Sequence, residues 1–421
     1  MLKFFVDLLS QASILVALFT MVGLILLKKT ANEIAAGSMK SLIGFILLGA
    51  GANVITSSLA PFGSMVEAAF NVQGVVPNNE AIVSLALTKY GTQVSLVMIL
   101  SMIIHIIIAR FTPLKFIFLT GHHIFYMGVM ITVILAVAGV SGIQLIILSS
   151  LINALAMSLS PILTYWAMPK VIGDSSSNVA LGHFSNVTYG ISALIGKLIG
   201  GKSSSVEDLK LPKGLSFMRD NILAIALTMS IIYIIVAIAA GSEYIEKELS
   251  NGQNFLVFSL IQGVTFAAGV SVVLQGVRMI LGEIIPAFKG ISEKLVPNAI
   301  PSLDCPIVFP YAPNAVLIGF IMSFIGGLVG LAILGITGGI LIIPGVVPHF
   351  FCGATAGVFG NATGGKRGCF IGAFVNGILL TFLPLILLPI LGDLGFQNTT
   401  FSDADFIAVG GIIGFICNLI K

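Results

Sequence analysis

Apolar residues in this chain come in long unbroken runs rather than in the two-residue alternation of half-buried strands. Eleven runs, at approximately 12–28, 41–58, 92–109, 121–140, 143–168, 220–241, 253–283, 313–335, 338–359, 369–391 and 404–420, reach the length of a membrane-crossing helix, which needs roughly 17–25 mostly apolar residues. The fourth and ninth are interrupted by glycine, proline or histidine, which predicts broken or re-entrant segments there. A polar interval divides the chain into two comparable halves. The pattern predicts an all-α polytopic membrane protein of about eleven transmembrane helices. Residues 1–168 form a first membrane half, 169–219 a cytoplasmic polar linker with amphipathic helices, 220–391 a second half, and 392–421 a final span.

Composition agrees. Of 421 residues 57% are hydrophobic and 9% charged, where a soluble domain carries about 25% charged residues. Such a chain cannot cover itself with polar surface. The net charge of +3 is too small for a nucleic-acid partner; its placement says more. With the N-terminus outside and the C-terminus inside, 17 of the 20 lysines and arginines fall in cytoplasmic loops, leaving Lys3, Lys89 and Lys247 outside, as the positive-inside bias requires. Residues 1–10 read as an amphipathic lead-in, not a cleavable leader. The four cysteines, Cys305, Cys352, Cys369 and Cys417, have no metal-ligand spacing and read as packing residues.

The halves share a faint internal pattern. "LAPFGSMVEAAFNVQGVVPNNE" (59–80) aligns without gaps with "IPAFKGISEKLVPNAIPSLDCP" (285–306), placing Phe62 on Phe288, Glu67 on Glu293 and Asn78 on Asp304. "LTGHHIFYMG" (119–128) lies opposite "IPGVVPHFFCG" (343–353). Five spans before the linker start the second half from the opposite side, so the repeat is inverted. Inverted repeats place a solute site near the bilayer midplane, between interrupted helices.

Four polar features stand out against the apolar background: "TGHH" with His122, His123 and Tyr126; "ALGHFSN" with His183; the proline-studded "PSLDCPIVFPYAPN" with Asp304; and "VVPNNEA" with Asn78, Asn79 and Glu80. Ionisable groups at membrane depth are costly and mark solute or proton pathways. A carboxylate beside imidazole can orient a hydroxyl and accept its proton. His105 and His349 sit among apolar neighbours in sequence and read as structural. "GNATGGKRG" (360–368) lacks the spacing of a phosphate-cradling loop and reads as a cytoplasmic turn. These features describe a transporter of a small polar solute without saying what drives it. A proton- or sodium-coupled carrier using Asp304 and Glu80 stays open at this point.

The segments "LTGHHIF", "ALGH", "QGVRMILGEIIPAFKGISEKLVPNAIPSLDC", "YAPNAVLIGF", "ILIIPGVVPHFF" and "ATAGVFGN" resemble, in order along nearly the whole chain, the ascorbate-type IIC permeases of the bacterial phosphotransferase system. That resemblance implies a homodimer in the bacterial cytoplasmic membrane. Each protomer would hold two inverted five-helix repeats plus one helix, arranged as a solute-binding core domain and a V-shaped dimerisation domain. It implies inward transport of ascorbate or a related sugar, coupled to phosphorylation by a phosphocysteine IIB protein that a IIA protein charges. No cofactor or metal is implied. Position by position, His122, His183 and Asp304 match residues lining the family's site, with Asp304 as candidate base or hydroxyl orienter. Asn79 lies in the repeat partner of the Asp304 segment. Three lining positions depart from the family: Glu80 stands for Tyr, Tyr126 for Gln and Ala52 for Ser. A carboxylate at position 80 would repel an anionic solute unless protonated or paired, so the fold and the coupling are better specified than the solute.

Overall fold

The computed structural model describes residues 11–70, 75–77, 79–174, 178–209, 221–338, 340–392, 394 and 399–420; the side chains of some helical residues, Ala52 and Glu80 among them, lie outside the description, as does Asn78. The chain is mostly helical. Its principal helices are α1 (Ala12–Leu26), α2 (Ala31–Phe70), α3 (Asn79–Phe111), α4 (Gly121–Val137), α5 (Gly142–Leu159), α6 (Asn186–Ile199), α7 (Asn221–Ala240), α8 (Phe255–Lys294), α9 (Pro313–Thr337), α10 (Val346–Phe382) and α11 (Ala404–Ile420). Helices dominate because hydrocarbon offers backbone N–H and C=O groups no partner, and only a helix satisfies them within one segment. Among the described residues three helices, Gly142–Tyr165, Pro313–Thr337 and Val347–Leu387, are long and apolar enough to cross a bilayer; Met229–Ala240 with Ser242–Leu249, bent by 103°, would make a fourth. Several helices turn leucine and isoleucine outward, as α8 does with Leu256, Leu260 and Ile261, the arrangement expected of a lipid-facing surface.

Of the two runs expected to be interrupted, the ninth is: residues 340–345 are not helical, and the helix from Val346 then continues into the tenth run as α10. The fourth run is an unbroken helix, α4, but a buried strand, β2 (Phe116–Phe118), precedes it. The segment 360–368 is not a loop. It lies inside α10, whose helical run is kinked at Gly365 (φ 60°, ψ −148°). That conformation suits glycine, and the carbonyls of Ser203 and Ser204 occupy the space a Cβ would need, so a side chain has no room.

Five short strands among the described residues organise the interior. β2, β4 (Ile300–Leu303) and β3 (Ala180–Leu181) form a parallel sheet in the order β2-β4-β3, and β1 (Val76–Pro77) pairs in parallel with β5 (Thr399–Thr400). Val75 also bridges Ile342, just ahead of α10. Non-helical backbone within a bilayer is tolerated only inside protein, and β2 and β3 are wholly buried. Each strand runs almost directly into a helix or 3₁₀ turn. Parallel pairing therefore brings several helix N-termini, and the residues just ahead of them, to one place. Two apolar clusters flank that place. One is built on Phe62, Tyr233, Phe320, Phe350 and Phe359, the other on Met127, Met130, Phe184, Phe401 and Phe406.

Candidate functional site

The three-stranded sheet assembles the first group. Its register sets Phe118 beside Ser302, Ala180 beside Ser302 and Leu181 beside Leu303. A few residues beyond these pairs lie His122, Asp304 and His183, distant in sequence but delivered to one point. Asp304 takes an extended conformation (φ −62°, ψ 157°), and its Oδ1 accepts the Cys305 N–H at 2.7 Å, capping the 3₁₀ turn Cys305–Tyr311. The cap fixes the carboxylate without exhausting it. His122 Nε2 lies 3.7 Å from Oδ2 and His183 Nε2 3.9 Å from Oδ1. Both separations exceed a direct hydrogen bond, so the three groups stand around one point without closing on each other.

Exposure divides this group. The side chains of His122 and Asp304 are 28% and 18% exposed, whereas that of His183 is 5% exposed. Tyr126, one helical turn after His122, is half-buried with its ring 5.9 Å from the His122 ring, edge-on. His183 is held from behind by the Tyr189 hydroxyl, 3.0 Å from Nδ1. With Nδ1 so engaged, Nε2 is the nitrogen left to face Asp304.

The two-stranded sheet builds a second group. Its register, Pro77 beside Thr400, brings Asn79 to Asp403. Asn79 donates from Nδ2 to Asp403 Oδ2 at 3.1 Å and accepts the Ser402 N–H at 3.0 Å. Ser402 Oγ and Cys352 Sγ donate to Asp403 Oδ1 at 3.0 and 3.4 Å. Next door, Asp405 accepts from Ser160 Oγ at 2.5 Å and from the Val187 N–H at 2.9 Å. Asn186 ties that corner together, donating to Ser160 Oγ and to the His183 carbonyl and accepting from Thr164 Oγ1.

His123 joins the two groups. It is 3% exposed, with Nδ1 3.9 Å from Asp403 Oδ2. Its ring centroid lies 4.0 Å from that of His183, 4.7 Å from that of His122, and stacks on Phe406 at 5.7 Å. Consecutive helical residues point about 100° apart, which sends His122 toward the more open side and His123 into the protein. Among the described residues, His122, His123 and Asp304 bring donor atoms within 4.8 Å of one another, as do His123, His183 and Asp403, and His183, Asp304 and Cys305. Several of these atoms already hold N–H or O–H partners: Asp304 Oδ1 the Cys305 N–H, His183 Nδ1 the Tyr189 hydroxyl, and Asp403 the Asn79 amide and the Ser402 hydroxyl.

Every described residue expected at the site therefore falls in or beside this cluster: His122, His183, Asp304 and Tyr126 in the first group, Asn79 in the second. Sequence reasoning passed over Asp403, Asp405 and Tyr189, held Asn186 only as the last residue of "ALGHFSN", and read Cys352 as a packing residue, whereas its buried Sγ also donates to Asp403. One signal was present for the first two: "SDAD" (402–405) sets two carboxylates at the mouth of an apolar run, a costly placement that marks function or tight bonding. His105 and His349 do have polar partners, supplied by other segments. His105 Nε2 accepts the Phe118 N–H at 3.0 Å and Nδ1 meets Ser158 Oγ at 2.8 Å, anchoring β2; His349 Nδ1 meets Ser323 Oγ at 2.9 Å.

The model of one protein family, the PTS system sugar-specific permease component (EIIC-GAT), matches residues 7–405. The chain is also similar to the ascorbate-specific PTS system EIIC component of Mycoplasma pneumoniae, 27% identical over 428 residues. That similarity covers 88% of this chain and 64% of the relative's length.

Proposed function

The chain belongs to the PTS sugar-specific permease component family, and we propose that it moves ascorbate or a related sugar or polyol inward while a cytoplasmic IIB protein phosphorylates it. The observation that carries this reading is the meeting of Asp304 with His122 and His183 at the seam between the two apolar clusters. A carboxylate flanked by two imidazoles matches a solute rich in hydroxyls: it accepts their hydrogen bonds while the imidazoles donate or accept. In the chemical step the solute oxygen attacks the phosphorus of S-phosphocysteine. The O–P bond forms, the S–P bond breaks, the thiolate leaves on the partner, and Asp304 or His122 receives the hydroxyl proton.

The same reading places the N-terminus outside, divides the chain at 169–219, and makes residues 1–168 and 220–391 inverted repeats. Reciprocal strand pairing supports the repeat. The strand leading into α4 pairs with β4, which leads toward α9, while Ile342, ahead of α10, pairs with Val75, ahead of α3. Two hydroxyl–amide pairs echo it: Asn153 donates to Ser101 Oγ at 3.1 Å, and Asn376 to Ser323 Oγ at 3.0 Å. A homodimer in the bacterial cytoplasmic membrane completes the proposal.

Vesicles containing the protein, supplied with phosphoenolpyruvate and the soluble relay proteins, are expected to accumulate phosphorylated ascorbate or sugar. Accumulation of unmodified solute driven by a proton or sodium gradient would instead make it a secondary transporter. Substrate preference is tested separately. The triple variant Glu80→Tyr, Tyr126→Gln and Ala52→Ser is expected to bind ascorbate about tenfold more tightly, because a site rejects solutes that leave its buried polar groups unpaired. Tyr126 beside His122 places one of the three positions at the cluster. Equal ascorbate affinity in both forms would show the departures to be neutral.

A further inference from the structure

We propose that Asp403 is a positioning residue of the solute site, acting on His123 and through it on His183 and His122. This rests on the reading of the first group as the site. Asp403 is 4% exposed and His123 3%, both more deeply buried than His122 and Asp304. What Asp403 does reach is the back of the imidazole cluster. Its Oδ2 lies 3.9 Å from His123 Nδ1, and the His123 ring rests against both histidines that face Asp304.

The bonding around Asp403 defines its role. Asn79, Ser402 and Cys352 all donate to it, so the carboxylate serves as an acceptor only. His123 Nδ1 takes the Phe184 N–H at 3.4 Å, which leaves the proton of neutral His123 on Nε2. Rotation of the ring would lose that amide bond and the stacking on Phe406. Asp403 holds the segments that frame this ring: the start of α3 through Asn79, α10 through Cys352, and the entry to α11 through its own backbone. It also sets a carboxylate behind a stack of three imidazoles whose far side is Asp304. The two carboxylates bracket the histidines, one at the solute and one behind them.

The hydrogen bond and the charge can be separated experimentally. Asp403→Asn removes the charge and sets an amide against the amide of Asn79. Adding Asn79→Asp restores a donor–acceptor pair with the roles exchanged, and residue 79 still offers an oxygen to the Ser402 N–H, but the carboxylate no longer stands at position 403 behind His123. Ascorbate serves as the probe. Asp403→Asn is expected to weaken ascorbate binding about tenfold, the size of coupling within one polar network, with the saturated phosphorylation rate within about threefold of wild type. The exchanged double variant is expected to recover the wild-type melting temperature and still bind about tenfold weaker. ¹⁵N-histidine spectra of the solute-free protein are expected to show altered His123 and His183 ring signals in both variants. A double variant with wild-type affinity and a wild-type histidine spectrum would make Asp403 a hydrogen-bond staple and overturn the proposal, as would unchanged binding in Asp403→Asn. The histidine spectra need no solute. If wild type neither binds ascorbate nor phosphorylates any sugar, the transport reading fails while the spectra still decide whether Asp403 governs the imidazoles.

Discussion

Replacing Asp304 with asparagine is expected to lower phosphorylation-coupled uptake by roughly 10²–10⁴-fold, the contribution typical of a positioned general base. The fold should survive. The side-chain oxygen of the introduced amide still accepts the Cys305 N–H that caps the 3₁₀ turn, and the residue keeps its volume. What disappears is the carboxylate oxygen facing His122 at 3.7 Å, the group able to take a hydroxyl proton. His122→Ala and His183→Ala are expected to act differently, weakening solute binding about tenfold or more each by removing hydrogen-bond partners. Uptake of labelled sugar and the yield of sugar phosphate, measured in the same vesicles, separate these effects. Near-normal phosphorylated product from Asp304→Asn would reduce Asp304 to the cap that it visibly also is.

Asp405→Ala is expected to be the most destabilising single change near the site. The carboxylate accepts the Ser160 hydroxyl and the Val187 N–H, and it is buried at 3% exposure. Alanine leaves those donors facing apolar surroundings, and each buried unsatisfied group costs about 1–3 kcal/mol. For several together, a loss of roughly 3–5 kcal/mol is expected. In a chain of this length that corresponds to an apparent melting temperature lower by about 3–6 °C. The damage should reach the site. Asn186 bonds both Ser160 and the His183 carbonyl, so loosening Ser160 loosens His183. Thermal unfolding followed by size-exclusion chromatography reads the effect. A melting point within a degree or two of wild type would show that solvent or another side chain satisfies these donors.

Much of this protein was legible in one dimension because lipid imposes a simple rule. A segment that crosses hydrocarbon must be apolar and helical, so the runs at 121–140, 313–335 and 404–420 announce α4, α9 and α11 with errors of a few residues at the ends, and 143–168 announces the apolar span Gly142–Tyr165 that begins with α5. The same rule makes a polar residue inside such a run conspicuous, as His122 is in 121–140; His183, in the expected linker, and Asp304, ahead of 313–335, stood out through the motifs around them and the family resemblance. The expected turn at 360–368 came close for a related reason. Its glycines mark a break, but only the packing of Ser203 and Ser204 against Gly365 made that break a kink within α10 rather than a loop.

Contacts between segments hundreds of residues apart belong to the tertiary structure. Strands of two to four residues carry too little pattern to be read, yet β1 with β5 and β2 with β4 and β3 decide which polar groups meet. Asn79 finds Asp403 across 324 positions, and Asp405 finds Ser160 across 245. His105 looked solitary because its sequence neighbours are apolar; its partners, Ser158 and the Phe118 amide, arrive from another helix and a strand. By itself, the sequence determined which residues are too polar for the surroundings their neighbours predict. Only the fold decided how each is satisfied, because a buried polar group takes its partner from whatever segment packing brings within about 3 Å.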